Sequence, residues 1–327
     1  MRASAADVQS NHTPARKVFV TGSTGAIGRY VVAALVDSGH EVTALVRTAE
    51  KSAAVRAQGA TPIAASLFDR DELTVGLAGH DVVVNLASAL PSTRQFLSDR
   101  AWRRNEHARI DGSTTLVDAA LAAGVGTFIQ ESVAMIYPDK GADWITEDVP
   151  ADRYPRAICS RVAEDNAHRI TAAGGTGIVL RFGVFCGIGA THSEEMLTAA
   201  RRHIVSVLGD ADGYVSTIHL TDAAAAVVAA LTAPAGTYNI VDDEPLTKRD
   251  YATALAAAVG KRPWLRVPGR AALLAGHRVT SLTRSLRVSN HRFRTATGWA
   301  PHYPSAREAW RATAAAAGAC RHRATQV

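Results

Sequence analysis

Short apolar runs recur along the chain, and stretches with helical periodicity separate them. Val18-Phe19-Val20-Thr21 is the first such run, and strands are expected at 18–21, 41–46, 61–65, 81–86, 126–131 and 177–182. Between them the spacing of apolar residues predicts helices at 27–38, 70–78, 102–123 and 155–173. The central runs are apolar at every position instead of alternating, the pattern of strands covered on both faces. Strand–helix–strand succession of this kind winds right-handed and builds a doubly wound parallel α/β sheet. Beyond residue 183 the alternation weakens. Residues 193–203, 222–232 and 250–259 read as helices and 237–241 as a short strand.

The most specific local signal follows the first strand. Gly22-Ser23-Thr24-Gly25-Ala26-Ile27-Gly28 places glycines three residues apart and opens directly into the amphipathic stretch Arg29-Tyr30-Val31-Val32. Glycines at this spacing give the turn its backbone freedom, let the main chain approach a pyrophosphate, and let helix and strand pack closely. The helix start adds free N–H groups and a partial positive charge. A dinucleotide on Gly22 to Gly28 is therefore expected. The second strand ends in Arg47, where an enzyme selecting NAD usually carries Asp or Glu for the ribose hydroxyls. An arginine there offers a charged fork to a 2′-phosphate, so NADP is favoured over NAD. The alternative is a solvated arginine. Asn85, Leu86 and Ala87 end the fourth strand at the edge where the nicotinamide half would lie. Strand-end packing explains them equally well. The expected organisation is a Rossmann fold with a small C-terminal substrate lobe: disordered tail 1–16, NADP-binding domain 17–183, a mixed region 184–317 with the lobe and returning sheet elements, and tail 318–327.

Composition narrows the classes. The 327 residues are 47% hydrophobic and 20% charged, and the formal charge of +6 is spread along the chain. The local cluster Arg100, Arg103, Arg104, His107 and Arg109 lacks interleaved aromatic residues, so it reads as a solvated face and not as a nucleic-acid surface. Cys159, Cys186 and Cys320 have neither metal spacing nor an even count, and no metal site is expected. No run approaches a membrane span and no apolar core of a signal peptide stands at the start. A cytoplasmic protein with a small-molecule substrate is expected, with room for a homodimer.

These residues together resemble the extended branch of the short-chain dehydrogenase/reductase superfamily, which holds nucleotide-sugar epimerases and dehydratases. The glycine loop, residues 105–120, Leu180-Arg181-Phe182-Gly183-Val184-Phe185-Cys186-Gly187, Thr217 to Ala223, Gly236 to Ile240 and residues 294–301 carry the resemblance. It implies a Tyr-x-x-x-Lys pair on a helix, with Ser or Thr at the end of the fifth strand. Residues i and i+4 share a helical face, so the lysine charge lowers the tyrosine pKa. Here the helix reads Tyr154-Pro155-Arg156-Ala157-Ile158-Cys159-Ser160-Arg161, and no register restores the pair. Aligning Ser160-Arg161 with the family's Ser-Lys puts Ala157 at the tyrosine. Counting back from Tyr137 puts Val133 at the Ser/Thr position, one residue from Ser132.

A displaced set remains as a candidate catalytic group: Tyr154 as acid, Arg161 two turns along the same face, and Ser132 assisting. The alternative is that Tyr154 packs at the helix entry. Three functions stay open: an NADP(H)-dependent oxidoreductase acting on a small carbonyl or alcohol substrate, a redox-neutral epimerase, isomerase or dehydratase, and a non-catalytic NADP(H) sensor.

Overall fold

The computed structural model describes residues 14–262, 265–267, 276 and 279–324. Seven strands make one parallel sheet: β1 (Lys17–Thr21), β2 (Glu41–Val46), β3 (Thr61–Ala64), β4 (Val82–Asn85), β5 (Thr127–Val133), β6 (Thr176–Phe182) and β7 (Gly236–Ile240). Their order is β7-β6-β5-β4-β1-β2-β3. The connection reverses direction between β1 and β4, and the crevice outside the carboxyl ends of the strands opens at that switch point.

Both faces of the sheet are covered, which is why its strands are apolar throughout. On one face Val18, Val20 and Val84 pack against Val31, Val32 and Leu35 of α1 (Gly28–Asp37) and against Ala223 and Val227 of the helix at Leu220–Ala230. On the other, Phe19, Val83, Phe128 and Val179 meet Leu73 and Leu77 from the helix at Arg70–Leu77, Leu116 and Val117 from the one at Ser113–Ala122, and Ile170 from the one at Pro155–Ala172. Each such side chain contributes about 1.5–3 kcal/mol by leaving water. In chain order the helices after α1 are α2 (Ala49–Ala57), α3 (Arg70–Leu77), α4 (Asp99–His107), α5 (Ser113–Ala122), α6 (Pro155–Ala172), α7 (Thr191–Arg201), α8 (Leu220–Ala230), α9 (Lys248–Ala258), α10 (Thr280–Thr283), α11 (His291–Thr297) and α12 (Ala306–Ala324).

A separate apolar cluster lies beyond β6. Leu197 of α7, Tyr251 and Leu255 of α9, and Trp310 of α12 pack together there with Cys186 and Leu246. The chain enters this region from β6, returns through β7, and leaves again. No helix among the described residues is long and apolar enough to cross a membrane.

Three expectations change. The helix α2 escaped notice because only Val55 on it is buried; the Thr48 side chain starts it by accepting the Lys51 N–H. The predicted helix 102–123 begins at Asp99 and is interrupted by a π turn over Ala108–Gly112. The tail expected from residue 318 is helical through Ala324, as part of α12. Of the tail expected at 1–16, residues 1–13 lie outside the described residues, as do 325–327.

The start of α8 carries a titratable cap. His219 precedes the helix, and its Nδ1 accepts the Thr221 N–H at 3.3 Å. Burial and the nearby His302 charge hold its pKa down, at about 4. An unfolded histidine takes up its proton near pH 6.5, while the folded one refuses it until about 4. Stability from this group is therefore complete above pH 6.5 and is lost as pH falls towards 4. Urea unfolding at pH 7 and 4.5 should give a smaller drop in midpoint for His219→Asn, which keeps a cap without titrating, than for the parent. Equal drops would contradict the assignment.

Candidate active site

The glycine turn lies against the carboxyl end of β4. Gly22 has φ of +66°, and a Cβ there would stand 2.4 Å from the Leu86 carbonyl oxygen. A Cβ on Gly28 would stand 2.1 Å from the Gly22 oxygen, so helix and turn meet backbone to backbone. Gly25 N–H closes the turn by donating to Gly22 O at 2.9 Å. The N–H groups of Ala26, Ile27 and Gly28 have no backbone acceptor among the described residues, and the first turn of α1 carries no acid. Free donors, no repelling carboxylate and no side chain in the way make a cradle for a phosphate anion. The features fit a dinucleotide's pyrophosphate. Thr24 and Gly25 are exposed on the rim, whereas Ser23 is buried and donates to Leu45 O at 3.1 Å, which ties the turn to β2.

Asn85 braces this edge from within. Its Oδ1 accepts from Thr21 Oγ1 at 2.6 Å and from Ala87 N–H at 3.2 Å, and its Nδ2 donates to Gln130 Oε1 at 2.8 Å. The side chain is buried and fully engaged, so its part is to align β1, β4 and β5; the main chain of Leu86 and Ala87 forms the edge itself. Arg47 stands exposed at the end of β2, with no ion pair among the described residues.

The far wall of the crevice comes from β5 and α6, and here the candidate catalytic set does not assemble. Ser132 is wholly buried, and its hydroxyl donates to Glu164 Oε1 at 2.6 Å. Glu164 also receives Arg181 Nε at 2.8 Å and Nη2 at 2.6 Å. Arg181 Nη1 continues to the Tyr137 hydroxyl at 2.7 Å, which donates to Asn239 Oδ1 at 2.9 Å. Burial pushes the Tyr137 phenol up to about 12. Beside this network Arg109 Nη2 donates to both Glu131 oxygens, at 2.8 Å (Oε1) and 2.6 Å (Oε2), and Nη1 reaches Ser160 Oγ at 3.3 Å. The π turn between α4 and α5 delivers Arg109 to that buried position. Burial raises the Glu131 carboxyl, and the Arg109 charge opposes the rise.

Tyr154 is diverted as well. It caps α6, and its hydroxyl donates to Met135 O at 3.0 Å while the Arg284 guanidinium covers its ring at 4.6 Å. Arg284 is itself held by Asp152 and by Tyr137 O. Burial pushes the Tyr154 phenol up to about 12, although Arg284 opposes it. The cation at this phenol is therefore Arg284 and not Arg161, because the loop bearing Arg284 covers the ring first. Arg161 is half-buried and has no hydrogen bond or ion pair among the described residues. Ala157, where the tyrosine would stand, is fully buried, and Val133 is half-buried at the Ser/Thr position. No group of three His, Cys, Asp or Glu side chains among the described residues could hold a metal.

The sequence reading missed Arg109, Glu131, Glu164 and Arg181. The available signal was a charge inside an element covered on both faces, as in Leu180-Arg181-Phe182, since a buried charge demands a partner.

Known proteins match this chain along most of its length. The family model described as the NAD dependent epimerase/dehydratase family matches residues 18–241. The chain belongs to that family. A 3-diazoavenalumate denitrifying reductase from a Streptomyces species is 31% identical over 303 residues, covering 89% of this chain and 98% of the relative. A 4-hydroxy-2-methyl-3-oxo-4-farnesyl-3,4-dihydroquinoline-1-oxide ketoreductase from Stigmatella aurantiaca is 31% identical over 278 residues, covering 83% and 81%. Among solved structures, human epimerase family protein SDR39U1 with NADPH superposes with a TM-score of 0.75 at 24% identity, covering 91% of this chain and 99% of that one. This family member is thus an NAD(P)-dependent enzyme of the oxidoreductase or epimerase class, on a Rossmann-type fold.

The Glu164–Arg181 pair gives a stability test. Arg181→Met leaves a buried carboxylate without its fork and should cost about 3–5 kcal/mol in urea unfolding. The double variant Arg181→Met/Glu164→Leu should recover most of that loss. Additive losses in the double variant would show that the two charges do not depend on each other.

Proposed function

We propose that this family member is an NADP(H)-dependent reductase that transfers hydride to a small organic electrophile without a proton-donating side chain of its own. The observation that carries this reading is the state of the wall formed by β5 and α6. Ala157 and Val133 occupy the positions of acid and helper, and the hydroxyls of Ser132 and Tyr154 are both spent on internal acceptors. The bound nicotinamide would supply the hydride. What the chain supplies is the phosphate cradle at Ala26 to Gly28, a braced edge at Leu86 and Ala87, and Val133 at the end of β5. Arg161 adds a fixed positive charge one turn beyond Ala157. A guanidinium offers N–H donors and no acceptor, so it can orient and stabilise an acceptor.

Absence of an acid or base favours reduction over redox-neutral chemistry. An epimerase must first strip the proton from a hydroxyl to release hydride, and no positioned base stands at that place among the described residues. Reduction of an acceptor that is cationic, or carries its own proton, has no such need. An aryl diazonium cation fits that description, and the name of one relative carries a diazo group: hydride on the terminal nitrogen of the cation gives a neutral diazene and leaves no alkoxide. The ketone in the other relative's name would need its proton from water. Arg47 supports NADP(H), being an unpaired cation at the strand end where a 2′-phosphate would stand.

Loss of NADPH absorbance should be followed with aryl diazonium and aryl ketone acceptors. Tyr154→Phe is expected to keep turnover within about two-fold, whereas loss of a positioned acid typically costs about 10²- to 10⁴-fold. A drop of that size would overturn the acid-free reading. Separately, Arg47→Asp should raise the KM for NADPH by about ten- to a hundred-fold while sparing NADH, the worth of a charged hydrogen bond. Equal effects on both cofactors would remove the phosphate role of Arg47.

A further inference from the structure

Arg29, which follows the last glycine of the phosphate turn, is exposed, and its side chain turns towards the loop that precedes α7. The guanidinium lies against the loop between the short strand Val184–Cys186 and α7. Gly189 in that loop has φ of +94°, and a Cβ there would stand 1.3 Å from Arg29 Nη2 and 2.1 Å from Cζ. The missing side chain of Gly189 is what gives the guanidinium its seat. The neighbouring Tyr30 hydroxyl donates to Ile188 O at 2.8 Å, so two successive residues of α1 hold the same loop. Glu194 is the nearby carboxylate, but its Oε1 is taken by Gly189 N–H at 2.6 Å. No ion pair of Arg29 occurs among the described residues, and its guanidinium sits 5.7 Å from the centre of the Tyr30 ring.

An exposed cation seated against Gly189 without an ion pair among the described residues, one residue from three amides that lack a backbone acceptor, is arranged for an anion that arrives from outside. We propose that Arg29 is a ligand of the cofactor's pyrophosphate, seated on Gly189 beside the loop at residues 187–190. The amides of Ala26 to Gly28 would meet the phosphate oxygens from below, and the fork of Arg29 from the loop side. Tyr30 then links an occupied cradle to α7 and the region beyond β6. This inference rests on the family's use of NAD(P) but not on the choice of NADP over NAD. Arg29 would act on the diphosphate common to both, while Arg47 would act only on the 2′-phosphate.

The test is equilibrium binding to the full chain, followed by tryptophan fluorescence, with NADP⁺, NAD⁺, ADP-ribose and adenosine 2′-monophosphate. Arg29→Met should weaken the three diphosphate ligands about ten-fold each and leave the monophosphate unchanged. Arg29→Lys, which keeps the charge without the fork, should recover part of the loss. Gly189→Ala displaces the guanidinium and should weaken the same three ligands, but should add nothing in the Arg29→Met background. Unchanged affinities in Arg29→Met, or a loss shared by the monophosphate, overturn the proposal. Failure of the parent chain to bind any diphosphate ligand would sink the cofactor reading together with it.

Discussion

A carboxylate buried under the carboxyl end of a parallel sheet decides what this crevice can do. Glu164 lies inside α6 where β5 and β6 end, away from water, and an ionised group there is tolerable only with partners. Arg181 supplies a fork and Ser132 a hydroxyl. Arg181 in turn takes up Tyr137, and Tyr137 takes up Asn239. The chain of dependence consumes the polar groups nearest to the place where a reductase of this family would keep its acid. The pair Arg109–Glu131 does the same on the adjacent strand position, with Ser160 drawn in. The positions where the family keeps its acid and helper hold Ala157 and Val133 instead.

The opposite wall is built on a different constraint, close approach without side chains. Gly22 and Gly28 let β1, α1 and the end of β4 meet by their backbones, and that contact leaves three amides unpaired at a helix start. One wall thus offers donors for an anion, and the other has its hydroxyls and carboxylates already paired within the fold. Together they suit a bound hydride carrier and an acceptor that brings its own electrophilicity.

Much of the fold is legible in the sequence because strands covered on both faces must be apolar at every position, and because the glycine spacing has one geometric purpose. The helix α2 is not legible, since Ala-Glu-Lys-Ser-Ala-Ala carries no apolar stripe and only the Thr48 cap marks its start. The candidate catalytic set is not brought together, for reasons that lie far along the chain. Ser132 differs from Val133 by one strand position, and successive side chains point to opposite faces. Tyr154 has a plausible helical partner in Arg161, but Arg284, 130 residues away, reaches its ring first. Arg109 turns inward only because a π turn shifts the register after α4. None of these shows in local periodicity.

The central claim is that a bound nicotinamide faces a wall with no acid on it. A crystal structure of the chain with NADP⁺ tests this most directly. The account predicts the nicotinamide ring beside Val133, Arg161 as its nearest charged side chain, and the Tyr154 hydroxyl still on the Met135 carbonyl. A Tyr154 hydroxyl, or any other ionisable acid, swung to within hydrogen-bond distance of the acceptor position beside the ring would contradict it.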